Sequence, residues 1–327
     1  MFSHIVHWKS WVFSAFLGMM ICQTGLAQSS DYPTKPIKII VPFPAGGPTD
    51  QFARQYAQSL SSQIGKPVIV DNKPGAGTVI GVDATAKATD NLTVGGVANS
   101  FTVNQSLIKT LPYNTTKDLQ PVVLMARTAN VLAVKSSLPV NNLKELIDYA
   151  KKNPAKLSYG SAGPGTLTHL GMEQIKLASG IFMVHIPYRG VGPAYTDLLA
   201  GQTQAMFPTL FAALPYINTN RVRGLAVTGA KRSSAAPNIP TFKELGLNGF
   251  DGQQWYGLVG PANLPPAIVT KLNAELNKVL ALPDFSEKMT SEAMTLMPMT
   301  PPQFANYIKE DIARWAKVAK DRNIEID

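Results

Sequence analysis

The stretch Val41-Pro42-Phe43-Pro44-Ala45-Gly46-Gly47-Pro48-Thr49-Asp50 decides how the rest of the chain is read. Before it, Ile37, Ile39, Ile40 and Val41, broken only by Lys38, make a β-branched run suited to a buried strand. After it, Phe52, Ala53, Tyr56, Ala57 and Leu60 recur at helical spacing. The turn between them holds three prolines and two glycines and no evident catalyst. A strand, a glycine turn and a helix in that order leave the first helical amides without partners. Those amides point with the positive end of the helix dipole, so the stretch predicts an anion-binding turn.

The same pattern returns downstream. Pro67-Val68-Ile69-Val70 reads as a strand running into Asn72-Lys73-Pro74-Gly75-Ala76-Gly77-Thr78, with a helix expected from Val79 to Lys87. Leu92-Thr93-Val94 is a third strand, ending in Gly95-Gly96 and the polar pair Asn99-Ser100, and Pro121 to Met125 a fourth. In the second half, Leu157-Ser158-Tyr159 enters Gly160-Ser161-Ala162-Gly163-Pro164-Gly165-Thr166, and a helix follows to Ser179, closed by Gly180. Val184 to Tyr188 and Ala205 to Phe207 are further strands, and Phe304, Tyr307, Ile308, Ile312 and Trp315 stripe a final helix. Strands alternating with helices predict an α/β fold with parallel sheets.

Length and composition bound the rest. The first 27 residues have a weakly basic start, an apolar run from Trp11 to Ile21 and the small residues Gly25-Leu26-Ala27, which predict a signal peptide cleaved after Ala27. Cys22 is the only cysteine, so the exported chain has no disulfide and depends on its core. Its length suits two lobes. The expected division is 28–127 in the first lobe, 128–226 in the second, and 227–327 returning to the first, with C-terminal helices free to cross both. The net charge of +9 is spread along the chain, in groups as small as Arg221, Arg223, Lys231 and Arg232. Spread charge and export argue against nucleic acid and fit a mild attraction for anionic solutes.

Catalytic motifs are nearly absent. His169 and His185 are the only histidines after the signal, and they lack metal-ligand spacing, so no metal or cofactor is expected. Tyr159 stands where a nucleophile elbow needs glycine, and no Walker A or G-x-G-x-x-G follows the first strand. An exported serine hydrolase or transferase using Ser161 as nucleophile and His169 as base is the alternative, without an evident orienting acid. His185, inside an apolar strand, reads as structural. His169, in the first turn of its helix, either donates to a bound carboxylate or is structural too. Glycine turns in two separate lobes instead suggest a clamp, each helix end holding one end of a small diacid.

Several stretches, in order, carry a resemblance: Val41 to Gly47, Asn72 to Gly77, Ser161 to Thr166, Pro187-Tyr188-Arg189-Gly190, Asp197 to Gln202, Arg221 to Thr228 and Trp255-Tyr256-Gly257-Leu258. Together they resemble the Bug (TctC-like) receptors, the periplasmic solute-binding proteins of tripartite tricarboxylate transporters. The resemblance implies a two-lobed periplasmic binding protein of type II, a Venus flytrap closing on a small organic acid in the cleft between lobes. It implies a monomer without enzymatic activity, working with membrane permease subunits or as a sensor. It places the ligand against Phe43, Pro44, Ala45, Gly46, Gly47, Thr49 and Asp50, with Ser100 beyond the third strand. The second lobe would offer Ser161, Ala162, Gly163, Gly165, Thr166, His169 and Tyr188. Pro208 also belongs to this set and is a departure, since an acidic residue often follows the Met-Phe of the second lobe. Two more departures are the short loop Ala88 to Thr93, and Gly77-Thr78-Val79 where Gly-Gly-Asn is usual.

Overall fold

The computed structural model describes residues 32–250 and 252–322, so the expected signal peptide and its cleavage after Ala27 lie outside the described residues. The chain opens with β1 (Ile37–Val41), α1 (Pro48–Ile64), β2 (Val68–Asn72), α2 (Val79–Ala86), β3 (Thr93–Ala98), α3 (Asn99–Leu107) and β4 (Leu119–Thr128). It then crosses into β5 (Val131–Lys135), α4 (Leu143–Lys152), β6 (Ser158–Ser161), α5 (Leu167–Ser179), β7 (Val184–Pro187), α6 (Val191–Ala200), β8 (Ala205–Met206), α7 (Leu210–Asn218) and β9 (Val222–Val227). It closes with β10 (Gln254–Pro261), α8 (Pro266–Leu280), α9 (Pro283–Ser291), β11 (Thr295–Leu296) and α10 (Pro301–Arg322).

Two sheets result, in the orders β11-β4-β10-β3-β1-β2 and β7-β6-β8-β5-β9. The expectation of parallel sheets needs correction: both are mixed. The β1, β2 and β3 strands run parallel, but β10 returns from the far end of the chain and inserts antiparallel between β3 and β4. In the second sheet β5 runs antiparallel to both β8 and β9. The strands that break the parallel pattern, β5 and β10, each follow another strand with no named helix between.

Each sheet is covered on both faces. Phe52, Tyr56, Leu272 and Leu276 pack one face of the first sheet, and Phe101, Trp255, Phe304 and Ile308 the other. In β5 the alternation is legible residue by residue. Leu132 and Val134 enter the core with Tyr159 and Phe207, while Val131 and Ala133 enter the opposite one with Tyr195 and Leu198. Phe242 and Phe250 pack with the second sheet, so the return to the first lobe comes at β10, later than position 227. A smaller apolar cluster joins the lobes: Val103 and Leu107 of α3, Leu167 and Leu170 of α5, and Trp315 of α10. Among the described residues no helix is long and apolar enough to cross a membrane.

Candidate functional site

The first glycine turn is held by one carboxylate. Pro48 opens α1, where a missing amide costs nothing, and Gly46 sits at φ +77, in the left-handed region that favours glycine. Asp50, 2% exposed, accepts the Gly46 amide at 2.8 Å and Arg54 Nε at 2.9 Å on Oδ2, and Asn72 Nδ2 at 2.8 Å on Oδ1. Burial pulls its pKa upward. The hydrogen bonds from Arg54, Gly46 and Asn72 outweigh this and leave it below the ordinary 3.8. With Asp50 occupied in shaping the turn, the Thr49 and Asp50 amides have no acceptor among the described residues.

The second turn is built the same way from different side chains. Thr166 caps α5 without bonding its own helix amides; its hydroxyl donates to the Gly163 carbonyl at 2.6 Å. The Ala162 amide donates to Thr168 Oγ1, Gly163 to Ser161 Oγ and Gly165 to His169 Nδ1. Loop amides are thus absorbed by side chains, while the Leu167 and Thr168 amides at the helix start remain open among the described residues. Behind this loop stands a ring stack. His185 lies 4.8 Å from Tyr159 and 4.2 Å from His169, centroid to centroid, and its Nε2 is 2.7 Å from Ser161 Oγ. Burial lowers both histidines, His185 to about 4, so both are neutral near pH 7, and His169 Nδ1 accepts the Gly165 amide.

Between the two turns lies a cavity of about 90 Å3, lined from both lobes. Phe43, Pro44, Ala45, Gly47, Thr49, Ser100, Ala162 and Thr166, all anticipated from sequence, line it. Gly163 and Tyr188 line an adjoining space instead. Gly46, Asp50, Ser161, Gly165 and His169 stand behind the wall as its scaffold, as the bonds above describe. Pro208 is buried beside the crossing, where its carbonyl accepts the Val131 amide, and its neighbour Thr209 reaches the cavity. The serine hydrolase arrangement is corrected: Ser161 is fully buried and its hydroxyl meets His185, because His169 is turned to the Gly165 amide.

Sequence reasoning missed several lining residues. The start of α6 (Val191, Gly192, Pro193) faces the cavity, and the Val191 and Gly192 amides have no acceptor among the described residues. Its sequence signal is Gly190-Val191-Gly192, a glycine turn before a helix that by itself reads as an ordinary loop. Gln254 and Tyr256 come from β10 and line the cavity together with Thr209 of the other lobe. The starts of α1, α3, α5 and α6 therefore converge on one cavity, and no charged side chain lines it. Its positive potential comes from helix ends. Among the described residues no group of three or more His, Cys, Asp or Glu is placed to hold a metal ion.

Two α/β lobes joined by crossing strands, with a cavity between them walled by helix N-termini, define a solute-binding protein of the periplasmic type. The chain belongs to the tripartite tricarboxylate transporter receptor family, whose model matches residues 52–324. It is 35% identical to protein BugT of Bordetella pertussis (strain Tohama I) over 318 residues, covering 95% of this chain and 98% of BugT. The structure of periplasmic binding protein BugD aligns with a TM-score of 0.86 at 34% identity, covering 90% of this chain and 99% of BugD. Rpa4515 of R. palustris, solved with adipate, aligns at 0.85 and 32% identity, covering 89% of this chain and 98% of that protein.

Proposed function

We propose that the protein is an exported receptor that closes its two lobes on a small carboxylate and either delivers it to membrane permease subunits or reports its presence. The observation that carries this reading is the convergence of four helix starts on a cavity without a charged side chain. A carboxylate there accepts from open amides on both lobes, the Thr49 and Asp50 pair on one side and Leu167, Thr168, Val191 and Gly192 on the other. Each charge-assisted bond is worth roughly 1.5–3 kcal/mol, so four or five suffice for micromolar affinity, near 8 kcal/mol, after ordering costs. Adipate in Rpa4515 supports an acid as the ligand class.

The protein acts as a monomer without cofactor, exported by a signal peptide cleaved near Ala27, and performs no chemistry on its ligand. The test is native mass spectrometry of protein taken from the periplasm, followed by thermal shift against a panel of carboxylates. A bound acid at 100 times its dissociation constant adds about 2.7 kcal/mol of stability. Recovery of that acid unchanged supports the receptor. Turnover of an ester that disappears in Ser161→Ala refutes it.

A further inference from the structure

Contacts between the lobes flank the cavity. At the edge where it meets the adjoining space, a Cβ built on Gly190 would stand 3.0 Å from Pro44 Cγ. Elsewhere the lobes meet through the apolar cluster of Val103, Leu107, Leu167, Leu170 and Trp315, none more than 9% exposed. On α3, Ser100, Val103 and Leu107 stand at i, i+3 and i+7, so the stripe that lines the cavity with Ser100 continues into this cluster. On α5, Leu167 lines the cavity and Leu170 follows one turn later. The α3 and α5 helices, which aim their starts at the cavity from opposite lobes, are therefore joined along their flanks through one indole.

The indole is anchored on the first lobe. One turn earlier on α10, the buried Asp311 accepts Thr102 Oγ1 of α3 and, at 3.0 Å, Trp255 Nε1 of β10. Arg314 pairs with the same carboxylate, and its guanidinium lies 5.7 Å from the Trp315 ring centroid. From this anchor Trp315 meets the second lobe at Leu167 and Leu170. Parting the lobes returns these apolar groups to water, so the contact favours closure. One contribution opposes it. The indole N–H is buried with no acceptor among the described residues, and a donor of that kind regains a hydrogen bond once water reaches it. A contact made of opposed contributions holds the lobes together and still lets them part.

We propose that Trp315 is a positioning residue, a latch carried by α10 that sets the balance between open and closed lobes and, through it, the affinity for the ligand. The inference rests on the proposed function, in which the lobes close on a carboxylate. Trp315 does not line the cavity; it acts by holding the α3 and α5 starts at their closed spacing. Apparent affinity scales with the fraction of free protein in the closed arrangement. Weakening the latch therefore lowers affinity for every ligand by the same factor, and strengthening it raises affinity for all of them.

The test is calorimetric titration of the exported protein with adipate, succinate and malate, beside small-angle scattering of the ligand-free protein. Trp315→Ala removes the apolar contact and is expected to weaken every acid that binds by about tenfold and to expand the ligand-free protein. Trp315→Phe keeps a ring and removes the unpartnered N–H, so it should tighten each of them by about threefold and make the ligand-free protein more compact. Leu170→Ala cuts the contact from the second lobe and covers the case in which Trp315→Ala does not fold; it too weakens binding, and the gain of Trp315→Phe shrinks in its presence. Affinities of Trp315→Ala and Leu170→Ala within about twofold of the unaltered protein overturn the latch while leaving the receptor reading intact. So does a Trp315→Phe variant that binds more weakly than the unaltered protein. Failure of every acid to bind overturns the receptor reading; scattering then decides the latch, and equal dimensions in all the variants overturn it as well.

Discussion

Replacing Asp50 by asparagine changes one oxygen to an amide nitrogen at a site where every partner is a donor. Oδ2 receives the Gly46 amide and Arg54 Nε, and Oδ1 receives Asn72 Nδ2. An asparagine keeps one acceptor and sets an N–H pair against at least one donor. Asn72 cannot turn its own amide to help, because its Nδ2 also donates to the Phe43 carbonyl and its Oδ1 accepts from Arg54. A buried mismatch of this kind costs about 1–3 kcal/mol, and loss of the carboxylate from the first turn of α1 adds up to about 1. Arg54 is half exposed and recovers water, so the net expectation is a loss of about 2–3 kcal/mol at pH 7.

The pH dependence identifies the cause. The folded Asp50 pKa lies below its ordinary 3.8, so its contribution is complete above that value and is lost as pH falls through the folded pKa. Urea unfolding of both proteins from pH 7 to pH 3 should show a gap that is constant down to about pH 5 and narrows below about 4. Histidine effects are common to both proteins and cancel. A gap under about 0.5 kcal/mol at pH 7, or one that persists unchanged at pH 3, refutes the role assigned to the carboxylate.

Other expectations follow from the same geometry. His169 and His185 both have lowered pKa values, so on acidification the unfolded chain takes up protons first. Stability should therefore fall between about pH 6.5 and 4, and His185→Gln, which can still bond Ser161, should flatten that slope; an unchanged slope counts against the buried neutral pair. Gly190, at φ +112 and against Pro44, should resist substitution. Gly190→Ala strains the backbone by about 1–3 kcal/mol and also crowds the closed state, so ligand-induced compaction in small-angle scattering should be lost and affinity reduced at least tenfold. Normal compaction in that variant would mean that the lobes do not meet there.

Much of the site was legible because helix N-termini are written locally. A β-branched run, a Gly/Pro turn and an amphipathic helix each need only a few neighbouring residues, and 41–50 and 161–166 supply all three. The start of α6 carries the same signal in weaker form, Gly190-Val191-Gly192 without a β-branched run before it. The α3 helix was invisible for another reason: Asn99 to Asn104 are all buried, between β3, β10 and α10. Burial on every side erases the 3.6-residue alternation by which a helix is recognised. Its polar residues are satisfied from far along the chain, Thr102 by Asp311 and Asn99 by the Trp255 amide.

The histidine assignment failed for a related reason. His169 is near Ser161 in sequence, yet parallel pairing of β6 with β7 sets His185 on the strand beside it and brings its ring to the hydroxyl. Sequence alone determined the α/β class and the two amide-bearing turns, because each depends on backbone geometry that nearby residues specify. Tertiary structure alone decided that β10 runs antiparallel through the first sheet, that α1, α3, α5 and α6 aim at one point, and that the space between them divides at Pro44 and Gly190. These depend on contacts between residues far apart in the chain, Gly95 with Val259 among them, whose loop closure is driven by burial of the whole core and by no local motif.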